Sequence, residues 1–476
     1  MYLLLLISLS TYLLIYLFAM NKELNLLILK ACEEDDTSAA LKLLKNISIH
    51  ECNLSEKNIK GRTALVVACQ NKMTRVAIKM LKYPRQCNLN ICDKNNSTAL
   101  TWACYNKMSR VALTILKYPN IYNMIMSDEI NKTAFQWACH NKMNKVALKM
   151  LDNPGLCNLG ACDNNGNTAL ISACYHKMDK VALKMLRTWN LCNLSVCNND
   201  KYTALIWACK NKMNKVALKI LHHPNNCNIK ISDNSNMIAF EHACNNRMND
   251  VALVMLKYPE RCNLYNDSES DMSALTQACA YNLPSVALKI LAHYDKRQED
   301  SEDNCIDIDL MWKGQYKSAL ALACENKLLN VVLRLLDYKD LCDLDKINNS
   351  DEFTPLMHAC NNNWLKVAIK MLKYPNLCNI EYTNSKGQTA LSLAQHPKLK
   401  NVKKILEDIS APREFPLYSI NKCTICFEDT ARYMCVVACK HFICICKECD
   451  IGMLKKCILC REDIGSNIII VNINQE

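Results

Sequence analysis

The dipeptide Ala-Cys recurs at Ala31, Ala68, Ala103, Ala138, Ala173, Ala208, Ala243, Ala278, Ala323 and Ala359. The spacings are 37, then 35 six times, then 45 and 36. An eleventh unit, Thr389-Ala-Leu-Ser-Leu-Ala394, keeps the register without the cysteine. A period this regular means a row of like supersecondary units, each leaning on its neighbours, instead of one large core.

Each unit reads the same way. A polar turn (Lys94-Asn-Asn-Ser97) leads into a short helix, Thr98-Ala-Leu-Thr-Trp-Ala-Cys104. A polar break at Tyr105-Asn-Lys107 separates it from a second helix, Met108 to Lys117. There Val111, Ala112, Leu113 and Leu116 recur at helical spacing, and Pro119 ends the pattern. Two such helices cannot bury their apolar faces alone; stacked neighbours bury them for each other. Scarce glycine (8) and proline (11) agree with a helical chain.

These units resemble the ankyrin repeat, whose Thr-Pro-Leu-His-x-Ala signature is nearly intact at Thr354-Pro-Leu-Met-His-Ala359. The texture, rich in Asn and Lys, is similar to ankyrin proteins of large DNA viruses. Two features depart from the family. The period is 35 instead of about 33, which predicts longer hairpin loops. Lys72, Lys107 and Arg247 stand where the family has glycine after the first helix. The preceding Asn is expected to take part of the turn role, since Asn tolerates the left-handed conformation. The resemblance implies an all-α ankyrin-repeat solenoid of about 11 units.

It also implies that the first helices line a concave partner-binding face. The residues just before Ala-Cys are then Trp102, Trp137, Trp207, His242 and His358, and those just after it Tyr105, His140, Tyr175 and Lys210. Exposed Trp and Tyr anchor protein interfaces; the competing reading is that these rings pack against adjacent units. The net charge of +12 comes from 58 basic and 46 acidic residues spread through the repeats. That spread favours solvated helix faces, so a protein partner is expected and nucleic acid is not.

Of 31 cysteines, 22 are scattered through the repeats and nine lie between Cys423 and Cys460. The Ala-Cys thiols read as small apolar fillers. So does a second register, Cys52, Cys87, Cys157, Cys192, Cys227, Cys262, Cys342 and Cys378. The charged stretch from Tyr294 to about residue 310, responsible for the 45-residue spacing, reads as a flexible surface insertion.

At the N-terminus, Tyr2 to Met20 carry no charge and are long enough to span a bilayer as a signal anchor. Lys22 and Lys30 follow the run and no cation precedes it, so the rest would face the cytosol. The missing basic segment, and Leu17 and Ala19 at the end, argue against a cleaved signal peptide. The other reading starts translation at Met20. Both give a cytoplasmic array.

After a Pro-containing linker come Cys423-Thr-Ile-Cys426, Cys439-Lys-His441, Cys446-Lys-Glu-Cys449 and Cys457-Ile-Leu-Cys460. Paired thiols two residues apart offer two ligands to one tetrahedral Zn²⁺, and eight ligands suffice for two Zn²⁺. Structural zinc would stabilise a segment too short for a core of its own. This order resembles the RING finger, a small zinc-bound α+β domain, and in particular the C-terminal RINGs of apoptosis-inhibitor ligases. By that resemblance one zinc takes Cys423, Cys426, Cys446 and Cys449, the other Cys439, His441, Cys457 and Cys460. Four residues separate His441 from Cys446, where two or three are usual, which leaves Cys444 as the alternate ligand.

The resemblance further implies a ubiquitin ligase without a covalent intermediate. It would hold a ubiquitin-charged conjugating enzyme in a reactive posture. Ile425 and Ile458 are at the positions that contact the conjugating enzyme, Ile458 replacing a usual proline. Arg461 is at the linchpin position that bridges conjugating enzyme and ubiquitin. A strand at Ile468–Val471 is where similar RINGs form homodimers. The expected organisation is a transmembrane anchor at 1–20, the array at 21–409, a linker at 410–421, the RING at 422–465 and a strand and tail at 466–476.

Overall fold

A computed structural model describes residues 22–45, 54–118, 124–262, 264, 273–300, 318–338, 344–345, 347 and 352–410. It also describes the backbone of three strands between 433 and 472. The chain divides into two compact units, Met1–Lys313 and Gly314–Glu476.

In the first unit, a helix at 22–33 and its partner Thr37–Leu43 open the array. Helix pairs follow in the 35-residue register, among them Ala64–Gln70 with Thr74–Met80, Ala99–Tyr105 with Ser109–Ile115, and Ala134–His140 with Asn144–Met150. Thr98 is the N-cap, not the first residue, of its helix: its hydroxyl accepts the Thr101 N–H at 3.2 Å. This cap satisfies a donor that the helix itself leaves unpaired, and Thr63, Thr133, Thr168, Thr203 and Thr354 repeat it. On the second helix Val111, Ala112, Ile115 and Leu116 are buried. Leu113 is only half-buried, and Ile115 takes the core place expected of it.

The break between the helices is a Schellman turn. The Met108 N–H reaches the Ala103 carbonyl at 2.8 Å, the Lys107 N–H reaches Cys104, and Met108 inserts as the apolar residue after the turn. The left-handed residue is the cation itself: φ is +58° at Lys72, +59° at Lys107, +56° at Lys142 and +56° at Arg247. The preceding Asn was expected to carry this conformation and does not; Asn106 has φ −86°. Its side chain instead crosses to the previous repeat, where Nδ2 donates to the carbonyls of Cys69 and Gln70, both at 2.9 Å. Asn141, Asn211 and Asn246 make the same two bonds one repeat at a time.

The hairpin tips are tight. Asp93 Oδ1 accepts the N–H groups of Asn95 and Ser97, and Cys92 bridges Thr98. The chain after the second helix forms one-turn 3-10 helices such as Pro154–Leu156 and Pro259–Arg261, with proline in the first turn. The long period is therefore accommodated without a long tip.

Every described thiol of the repeating Ala-Cys register is buried and unbonded to another cysteine; Cys162, outside that register, is exposed. Burial pushes Cys279 and Cys360 up to about 12 and raises Cys139 and Cys244 well above the ordinary thiol value. In the second register the Cys87, Cys157, Cys192, Cys262 and Cys378 thiols donate to the carbonyl seven residues earlier at 3.3–3.4 Å. Both sets are packing residues, as read from sequence; Cys52 and Cys342 lie outside the described residues.

The insertion expected to be a flexible surface segment from Tyr294 begins as helix. Pro284–Asp300 runs unbroken, and Tyr294 is 3% exposed with its hydroxyl on the Leu264 carbonyl. A buried ring with a satisfied hydroxyl holds the extra turns.

In the second unit, the pairs Ala319–Glu325 with Leu329–Leu335, Pro355–Asn361 with Leu365–Met371, and Ala390–Leu393 with Lys400–Ser410 continue the pattern. Three strands, β1 (Tyr433–Val436), β2 (Phe442–Ile445) and β3 (Ile469–Asn472), form an antiparallel sheet in the order β2-β1-β3. Tyr433 pairs with Ile445 and with Asn472. Residues 1–21 are outside the described part, and among the described residues no helix is long and apolar enough to cross a membrane.

Candidate functional site

The first-helix register brings the singled-out rings of neighbouring repeats into one ladder. Trp102 meets Tyr105 at 5.5 Å, Tyr105 meets Trp137 at 4.7 Å, and Trp137 meets His140 at 5.4 Å, all edge to face. His140 contacts His176, His176 contacts Tyr175, and Tyr175 meets Trp207 at 4.6 Å. Edge-to-face pairs are favoured by the ring quadrupoles and fix one another's orientation.

The two positions of the register differ in exposure. Before Ala-Cys, Trp137 (8%), His242 and His358 are buried and Trp102 and Trp207 half-buried. After it, Tyr105 (47%), Tyr175 (51%), His140 and Lys210 are exposed. The buried set packs within the array, and the exposed set faces solvent.

Polar groups lock the buried set. Trp137 Nε1 donates to Asp128 at 2.6 Å, Trp102 Nε1 to Asp93 at 3.2 Å, and His242 Nε2 is 2.9 Å from Asp233. Each carboxylate comes from the hairpin tip nine residues earlier, a spacing visible in sequence but not singled out there. Cations then cover ring faces: Lys132 stands 4.5 Å over Trp137, Arg62 lies 5.4 Å from Trp102, and Lys210 faces both Tyr202 and Trp207. Arg62 and Lys132 are also paired across repeats with Asp93 and Asp163.

Burial works against the charged form of His140, His176 and His242. Burial lowers the pKa of His140, with Lys132 adding to it, and takes His176 down to about 4. Burial lowers His242 too, against the opposing pull of Asp233. Burial would raise Asp233, but hydrogen bonds from His242, Met237 and Ser235 outweigh it and its pKa falls. His176 fills the register that Asn occupies elsewhere, and its buried Nε2 has no hydrogen-bond partner.

The zinc ligands and ligase positions expected in the C-terminal region, Cys423, Ile425, Cys426, Cys439, His441, Cys446, Cys449, Cys457, Ile458, Cys460 and Arg461, lie outside the described residues. Cys444 is within β2, its backbone paired with Met434. Among the described residues no three metal-binding side chains converge.

A family model for ankyrin repeats in three copies matches residues 27–126 and 320–413. These segments are ankyrin repeats. The repeats between them share the helix pair and the left-handed turn after the first helix; Thr133, Thr168 and Thr203 cap three of them, Ser273 caps another, and Ile238 stands at the cap of the remaining one. A solved structure of the ankyrin repeat domain of Bcl-3, described as a unique member of the IkappaB protein family, aligns over 48% of this chain and 97% of that one. Its identity is 16% and its TM-score 0.34. No curated protein matches the sequence. Ankyrin repeats are generally protein-interaction modules.

Proposed function

We propose that the chain is a RING-type ubiquitin ligase whose ankyrin repeats select a protein substrate along the exposed row Tyr105, His140, Tyr175 and Lys210. The observation that carries this reading is the spacing of eight thiol and imidazole ligands in the order of a RING finger, ending in Arg461. Seven cysteines and one histidine suit two structural Zn²⁺ ions, which would supply stability to the fold. Two features of the strands support it. The four residues between His441 and Cys446 are β2 itself, so Cys446 follows the end of a strand while Cys444 is within its ladder. β3 (Ile469–Asn472), paired with β1, overlaps the expected stretch 468–471.

The chain's own groups would act by binding and orientation. Ile425 and Ile458 offer apolar contacts to a conjugating enzyme, and the planar donors of Arg461 bridge it to ubiquitin. Homodimerisation through the β3 edge and membrane attachment through residues 1–20, with repeats and RING facing the cytosol, belong to the same reading.

The second reading is an interaction scaffold with a structural zinc module. The long His441–Cys446 interval and Ile458 in place of proline favour it. An autoubiquitination assay on the full chain with a panel of conjugating enzymes separates the two. The ligase reading expects ubiquitin chains from wild type, few from Arg461→Ala and none from Cys423→Ala. Equal background from all three supports the scaffold.

A further inference from the structure

The turn that ends each first helix places a cation at the left-handed position in six successive repeats: Lys72, Lys107, Lys142, Lys177, Lys212 and Arg247. All six are exposed. Three residues on, Arg75, Arg110, Lys145, Lys180 and Lys215 are also exposed. None of these side chains is in an ion pair with a described residue. Acid enters the strip only at Asp179 and Asp250, and it ends at Asp35 on one side and Asn282 on the other.

Two features set this strip apart from an ordinary solvated face. A left-handed backbone costs glycine nothing and costs lysine strain, yet the cation recurs at this position six times. The repeats stack helix against helix, so the charges form one row instead of scattered points.

We infer that this row is a second docking surface, for an extended acidic segment of a protein partner. With helices about 8–10 Å apart, six repeats span on the order of 50 Å, or roughly 15 residues of extended chain. Tyr105, His140 and Tyr175 stand two residues before the cations of their repeats and give apolar side chains of such a segment a flank to rest on. Single-stranded nucleic acid suits the surface less well. Bases need free ring faces, and here Arg62, Lys132 and Lys210 cover the tryptophans while Tyr105 meets Trp102 and Trp137 at right angles. The inference stands on the array and is independent of ligase activity.

Fluorescence anisotropy on the full chain tests it, with a labelled 16-residue Glu-rich peptide, its Gln counterpart, and single- and double-stranded DNA of mixed sequence as probes. The surface variant is Arg110→Gln, Lys145→Gln and Lys180→Gln together, which leaves the turns untouched; a circular dichroism melt checks its fold. Expected are binding of the Glu peptide that weakens with salt, little binding of the Gln peptide, DNA weaker than the Glu peptide, and roughly a tenfold loss in the variant. Equal affinity of wild type and folded variant overturns the docking surface. Tighter binding of either DNA overturns the acidic-protein assignment. Autoubiquitination of the variant at the wild-type level shows that a failure here is not a failure of the ligase reading.

Discussion

Lys142 occupies a backbone conformation that side chains resist, with φ at +56°. Lys142→Gly removes that strain and part of the gain returns as unfolded-chain entropy, so a rise of about 0.5–1 kcal/mol in stability is expected from urea unfolding. His176 is a more informative residue. The unfolded chain binds its proton near pH 6.5, while the folded chain refuses it until about pH 4. Stability present above pH 6.5 is therefore lost as pH falls through that window, and His140 and His242, also lowered, add in the same direction. His176→Asn should flatten the acid limb of a pH-stability curve. It should also add about 1 kcal/mol by rebuilding the bonds to the Cys139 and His140 carbonyls that the Asn register makes elsewhere. An unchanged acid limb would show that His176 titrates normally. The register of these residues was legible from the 35-residue period. The partition between buried and exposed positions was not, because it depends on side chains such as Asp128 and Lys132 that close over Trp137 while Tyr105 stays exposed.

At the scale of an element, the helix pair is held by local chemistry and the stack by a few recurring side chains. Asn141 Nδ2 ties its repeat to the Cys104 and Tyr105 carbonyls. Asn141→Ala leaves both without that donor and should cost about 1–2 kcal/mol. Hydrogen exchange should localise the loss to the interface between those two repeats, since a stacked array couples nearest neighbours; uniform loosening of all repeats would contradict this. The helix pattern, the Thr caps and the proline stops were readable from periodicity. The Schellman turn was misread, because propensity points to Asn as the left-handed residue while the hydrogen-bond pattern puts Lys there. The start of the insertion was misread because its charge hides Tyr294, whose burial accompanies a helix running to Asp300; residues 301–310 lie outside the described part.

For the whole molecule, the array and the cysteine-rich region rest on different physics. The array is stable through burial between repeats, with thiols serving as small apolar groups. The C-terminal region carries seven of its nine cysteines outside the described strands, in knuckle spacing, and its three described strands are only four residues long each. The proposed ligand order rests on the fixed spacings that metal chemistry demands; the partner is not legible in the sequence, because recognition depends on exposed edges. Elemental analysis of the purified full chain tests the central claim most directly. About two zinc atoms per chain are expected, falling to one or fewer, with loss of ligase product, in Cys423→Ala. A chain that is folded through its C-terminal sheet and holds no zinc would contradict the account.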